Sequence, residues 1–173
     1  LTYMATLLEL ERNGELIRLR PNLKPREQEL RTFMVTPEVR DWLNDILPKV
    51  PAGSAKELTP MEKLIDFLNR YGAGHRLLYP VAFRPIQHFK HGVWELKTPE
   101  LRLFGWFPKN DVFICASIAT LDDIKINGKP NKEAVNNQRK KVSFVRSKLP
   151  LDEPKYIPGR EPEDVLSACD YRS

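Results

Sequence analysis

Residues 92–117 read GVWELKTPELRLFGWFPKNDVFICAS, and the fold turns on them. Three runs, Val93–Lys97, Leu101–Phe107 and Val112–Ser117, are rich in aromatic and β-branched residues. Thr98-Pro99-Glu100 and Pro108-Lys109-Asn110-Asp111 separate them. The pattern predicts a three-stranded meander with tight turns. Glu95, Lys97, Arg102 and Lys109 stand within or beside these otherwise apolar strands. A few charges on a compact sheet are the first candidates for function. Trp106 and Phe107 are aromatics of the same stretch that could stack on bases, although strand alternation turns one of an adjacent pair inward.

Upstream, Leu30–Val35 reads as a strand that runs into Thr36-Pro37-Glu38. Thr as cap, Pro at the first helical position and an acid in the first turn start a helix, here Pro37–Leu47. Thr59-Pro60-Met61-Glu62 repeats the signal. Its helix, Pro60–Tyr71, carries Met61, Leu64, Ile65 and Leu68 as one apolar stripe and stops at Gly72-Ala73-Gly74. Tyr79–Phe89 is an irregular approach to the meander. Before all of these, Met4–Glu11 and Leu16–Arg20 flank Arg12-Asn13-Gly14-Glu15. Asn-Gly between apolar runs predicts a β-hairpin; the leucine spacing also permits a helix over Thr2–Arg12.

Downstream, Asn131 caps a helix over Lys132–Leu149 with Val135, Val142, Val145 and Leu149 in a narrow core-facing stripe. Residues 151–173, with three prolines, read as a mostly extended tail with a short helical turn at Pro162–Ala168. The chain therefore divides into a hairpin extension (1–29), a central domain (30–150) and a tail (151–173). The fold class is α+β: a compact antiparallel sheet packed on two N-terminal helices, with a basic C-terminal helix.

Charge is local. From Lys125 to Lys148 eight Lys or Arg face one acid, Glu133, which gives this segment +7 and leaves −2 for the rest of a chain of net charge +5. Such a segment suits a polyanion; it also suits a plain solvated helix face. Lys125, Lys129, Lys132, Arg139 and Lys140, with Lys90 and Lys109, are the candidate residues for contact with a polyanion such as RNA. Cys115 and Cys169 form neither a disulfide framework nor a zinc spacing. No metal or other cofactor is expected: His88 and His91 have a spacing that could pair on a metal, but no third ligand is in view. No apolar run reaches a membrane-spanning length and no signal peptide is visible, so a soluble cytoplasmic protein without membrane contact is expected.

Several phrases, in order, carry a resemblance. FMVTPEVRDWLNDI (33–46) joins a strand to a helix; Gly92 and Val93-Trp94-Glu95-Leu96-Lys97 are similar to a "G-L-W-E-L-R" strand. Glu100-Leu101-Arg102-Leu103-Phe104 sets an Arg between apolar residues, and GKPNKE (128–133) leads into the basic helix. Over Leu30–Leu149 the chain resembles the RelE/ParE toxin superfamily, most of all its HigB-type and phage-derived HigB-like branch.

The resemblance implies a toxin of a bacterial or prophage toxin–antitoxin system. Its partners would be a helix-turn-helix antitoxin, mRNA and the ribosome, and its activity metal-independent cleavage of mRNA. In such a reaction the 2′-OH attacks the adjacent phosphate, fixed cations stabilise the charge that develops, and a base and an acid move the protons. Arg102 matches the family's second-strand Arg and is the expected phosphate clamp; alternatively it is a structural ion pair with Glu95. Lys97 matches the basic residue that ends the first strand, or is a solvent-facing strand end. His88, Lys90 and His91 lie where RNase members often carry basic or His residues. One His could serve as acid or base, or each is an ordinary loop residue. Asp122-Asp123 stands at the exit of the third strand, where many relatives are basic. That departure keeps open a second reading: a fold member without RNase activity that binds a protein target, gyrase-type, or serves as a regulatory module.

Overall fold

The computed structural model describes residues 5–171. In chain order the elements are α1 (Leu7–Arg12), β1 (Ile17–Leu19), β2 (Thr32–Val35), α2 (Pro37–Asp45), α3 (Pro60–Gly72), β3 (Leu77–Tyr79) and β4 (Phe83–Pro85). There follow β5 (Trp94–Lys97), β6 (Leu101–Lys109), β7 (Val112–Thr120), α4 (Leu121–Ile124), β8 (Lys125–Ile126), β9 (Lys129–Pro130), α5 (Lys132–Lys148), α6 (Pro162–Val165) and β10 (Cys169–Tyr171). The protein is α+β.

The expected meander is present as β5–β6–β7, and it forms the centre of a six-stranded sheet ordered β1-β2-β7-β6-β5-β4. The sheet is mixed, not antiparallel throughout. β2 lies parallel to β7, with Val35 opposite Cys115, and the other neighbours are antiparallel. Two helices separate β2 from the meander, so it need not return as a hairpin arm.

The N-terminal hairpin is not formed. Leu7–Arg12 is a helix whose capping box outweighs the turn signal. Thr6 Oγ1 accepts from the Glu9 amide at 3.2 Å, and Glu9 accepts from the Thr6 amide at 3.4 Å. Asn13-Gly14 closes this helix. Gly14 adopts a φ of +75°, and the Glu15 amide reaches back to Leu10 O at 2.9 Å. Met4, part of the expected first arm, lies outside the described residues, as does the start of the alternative helix at Thr2. The second arm is a strand, β1, but its partner is β2. A second Asn-Gly, Asn127-Gly128, does make a hairpin: both residues have positive φ, at 52° and 75°, and they join β8 to β9.

Alternation gives the sheet two differently filled faces. One face packs on α2 and α3 through Phe33, Val35, Trp94, Leu96, Phe107 and Phe113. Ring contacts run across it from Tyr71 through Phe33, Phe113, Phe107 and Trp94 to Phe83, with centroids 5.0–5.9 Å apart. On the other face, Met34, Phe104, Trp106 and Ile114 pack under α1 and α5, where Val142 and Leu149 meet them. Trp106 and Phe107 are both buried, so neither offers a ring for base stacking.

A bulge interrupts the alternation. Gly105 faces Cys115 while Phe104 faces Ser117, so Ala116 is the extra residue in β7. A Cβ at Gly105 would overlap the carbonyl oxygen of Ile114, which is why the closest approach of β6 to β7 falls on glycine. Past the bulge, the Ser117 side chain turns toward α5 and bonds Gln138.

The tail is more than extended chain. The Asp111 amide bonds Val165 O, α6 buries Val165, and β10 lies parallel to β3 with Cys169 opposite Leu77. Arg172 and Ser173, at the end of the expected tail, lie outside the described residues.

Candidate functional site

β4, β5 and β6 place four charged side chains on the sheet face that α5 only partly covers. Arg84 lies opposite Glu95, and Lys97 lies opposite Arg102. Glu95 and Lys97 are two residues apart on β5 and share that face. The Glu95 carboxylate is 1% exposed. Around it stand Arg102 Nε at 3.4 Å and Lys97 Nζ at 3.9 Å from Oε1, and Arg84 Nη2 at 3.6 Å from Oε2. Three cations on one carboxylate leave two positive charges in excess.

Arg102 is held by more than charge. Its Nη1 donates to Thr98 O at 2.7 Å and to Leu101 O at 2.9 Å, which fixes the guanidinium against the β5–β6 turn. The Thr98 hydroxyl secures that turn by accepting from the Leu101 amide. Glu95 Oε2 is buried and accepts no hydrogen bond. Burial lowers the pKa of Lys97, and the positive charge of Arg84 lowers it further; Glu95 opposes the shift, and Arg102 adds to it. Burial likewise lowers that of Arg102, against the pull of Glu95. The contact between Arg102 and Glu95 is thus present, within a cluster that remains net positive.

A second basic group lies beyond the other end of β5. His88 precedes a 3-10 turn, Phe89–His91, that contains Lys90 and His91 and ends at Gly92 in the left-handed region (φ 60°). Arg146 of α5 donates to His91 O at 2.6 Å, and its guanidinium lies 3.8 Å over the Tyr156 ring. The pKa of His91 is held below its ordinary value, first by burial and then by the positive charges of Arg139, Lys90, Arg146 and His88. The length of β5 alone, about 10 Å from Trp94 to Lys97 at 3.3 Å per residue, lies between His91 and Lys97. The four expected catalytic residues therefore fall into two groups: Arg102 with Lys97, and His91 with His88.

The remaining candidates spread over a wide surface. Lys109 is exposed at the far end of β6, about 23 Å of strand from Arg102. Lys125 and Lys129 sit on the β8–β9 hairpin, and Lys132 and Lys140 are exposed on α5. Arg139 is turned inward, 7% exposed, and bonded to Asn136. Asp123 has a structural duty at the strand exit. It caps α4 by accepting from the Thr120 amide, while Thr120 Oγ1 accepts from Asp123.

Sequence reasoning missed Arg84. It lies in the stretch read as irregular, where a three-residue strand ending in Pro85 gives almost no periodic signal. It also missed Phe144, 62% exposed on α5. No family model, curated protein or solved structure matches this chain.

Proposed function

We propose that the chain is a RelE/ParE-type toxin of a bacterial or prophage toxin–antitoxin pair, an endoribonuclease that cuts mRNA at the ribosome without a metal. The observation that carries this reading is the cation excess of Arg84, Lys97 and Arg102 around Glu95. The element order, a strand and two helices before a meander and a basic helix after it, also supports it.

In this reading a backbone phosphate enters beside Arg102 and Lys97. Arg102, pre-set by its two bonds to backbone carbonyls, spends nothing on reorganisation when charge builds on the phosphate oxygens. The phosphate draws Lys97 toward itself and so loosens the hold on Glu95, while Arg102 stays in place. Glu95 Oε2, without a hydrogen bond, takes the proton of the 2′-OH as Arg84 swings aside. O2′ bonds to phosphorus, the P–O5′ bond breaks, and Lys97, with its lowered pKa, protonates O5′. The products are a 2′,3′-cyclic phosphate and a 5′-hydroxyl. Glu95 suits the role of base better than His91, because it lies among the cations that hold the phosphate, whereas His91 lies a strand's length away. The experiment is expression in a bacterium with mapping of mRNA ends. Growth arrest with cleavage, both lost in Arg102→Ala, supports the reading; cleavage indifferent to Arg102→Ala contradicts it.

One observation favours a second reading, a member of this fold that acts by binding a protein target. Both Nη1 bonds of Arg102 go to backbone carbonyls, and a purely structural cluster needs nothing more. Arrest without RNA cleavage, unaffected by Arg102→Ala, selects that reading.

A further inference from the structure

A second feature lies outside the charged cluster. β2 accompanies β7 only as far as Val35 opposite Cys115, and the chain then leaves the sheet as α2. Beyond that point a cleft of about 270 Å³ opens between α2, α5 and the end of β7. Trp42, Ile46 and Ile118 line it, and Glu38, Asp41 and Asp45 supply carboxylates. Lys141 of α5 pairs with Glu38 at 2.8 Å, whereas Asp45 has no ion pair among the described residues. Ile46 is 46% exposed, large for a side chain that lines an apolar cleft.

The complement is on the same helix. Phe144 follows Lys141 by three residues, less than one turn, and is 62% exposed. Lys148 Nζ lies 5.5 Å over its ring, and Lys140 is exposed one turn earlier. An apolar knob flanked by lysines thus stands next to an apolar hole flanked by carboxylates. A surface that carries both halves of a contact side by side is self-complementary under a two-fold axis.

We propose that the chain forms a two-fold dimer in which Phe144 of each copy enters the α2–α5 cleft of the other. Lys140 and Lys148 then face the carboxylates of Asp41 and Asp45 across the interface. Salt weakens the dimer, because those pairs lie at its rim. The proposal does not depend on the RNase reading, since none of its residues belongs to the Glu95 cluster.

The test is sedimentation of the full chain, with tryptophan fluorescence on dilution. Trp94 and Trp106 are fully buried, so a change on dilution reports Trp42. The expected mass is twice 20.1 kDa, with a red shift as the dimer dissociates. Phe144→Asp and Ile46→Asp each give a monomer with unchanged circular dichroism, and weaken association at least a hundredfold. Mixing the two variants restores a weaker dimer, because one knob still finds one intact cleft. Lys140→Glu/Lys148→Glu, at exposed positions, provides a second route to the same loss. A wild-type monomer up to millimolar concentration overturns the proposal. So does a dimer indifferent to these substitutions, or variants that do not reassociate when mixed.

Discussion

The Glu95 cluster and the α2–α5 cleft are built in opposite ways. In the cluster the charges are inside: a buried carboxylate surrounded by Arg84, Lys97 and Arg102, with apolar strands about it. In the cleft the apolar groups are inside, and Glu38, Asp41 and Asp45 stand around them. Burying an ion cluster is a poor way to gain stability, since a well-packed apolar substitute is often as stable or more so. On the proposed reading, the two unbalanced cations of the cluster serve an anion. The cleft, an apolar hole with charge at its edge, has the design of an interface. One row of the sheet joins the two regions: Arg84, Glu95, Phe104 and Ser117 are in cross-strand register, and Ser117 lies at the cleft wall.

The largest expected effect falls on the cluster. Arg102→Ala lowers RNA cleavage by about 10²–10³-fold, roughly 3–4 kcal/mol of transition-state stabilisation, read in single-turnover assays, while dimer mass is unchanged. Glu95→Ala removes the proposed base and so slows cleavage as well, and it also acts on stability. It leaves Lys97 and Arg102 half-buried without a counter-charge and costs about 3 kcal/mol in urea unfolding, the low end for a broken buried pair because Arg84 and Lys97 still reach water. Gly105→Ala strikes the bulge that links the two regions and costs about 2 kcal/mol from forced overlap with Ile114. It is expected to disturb cleavage and dimerisation together. Thr6→Ala, remote from both regions, costs about 1 kcal/mol through the lost cap of α1 and leaves both activities intact.

The smallest effect is one of pH. The pKa of His91 is lowered in the folded protein, so below about pH 6.5 the unfolded chain binds a proton that the folded chain does not. The stability associated with neutral His91 is complete above that value and declines as pH falls through the folded pKa. His91→Gln removes this part of the decline in urea midpoints measured from pH 7.5 to 5.

Much of the fold was legible because local signals were strong and agreed with one another. Thr36-Pro37 and Thr59-Pro60 start α2 and α3 as the residues indicate, and the meander and α5 follow their apolar patterns. Asn-Gly misled at one of its two occurrences, because a glycine with positive φ ends a helix as readily as it turns a hairpin: Asn13 stays right-handed at φ −81° and Gly14 alone is positive. The capping box at Thr6 and Glu9 was the signal that distinguishes them. The parallel pairings β2–β7 and β10–β3 depend on contacts between residues far apart in sequence, which no local pattern reports. At the candidate site, Arg102, Lys97 and Glu95 were legible from their places in the meander. Arg84 was not, since only the pairing of β4 with β5 brings it to Glu95. Nor was the separation of His91 from Arg102, which depends on where β5 begins.

The most direct test of the central claim, that the Glu95 cluster is where RNA is cut, is single-turnover cleavage by Glu95→Gln beside RNA binding by the same variant. Removing one negative charge while keeping the shape predicts binding at least as tight as wild type and cleavage at least a hundredfold slower. Cleavage at the wild-type rate would contradict the account.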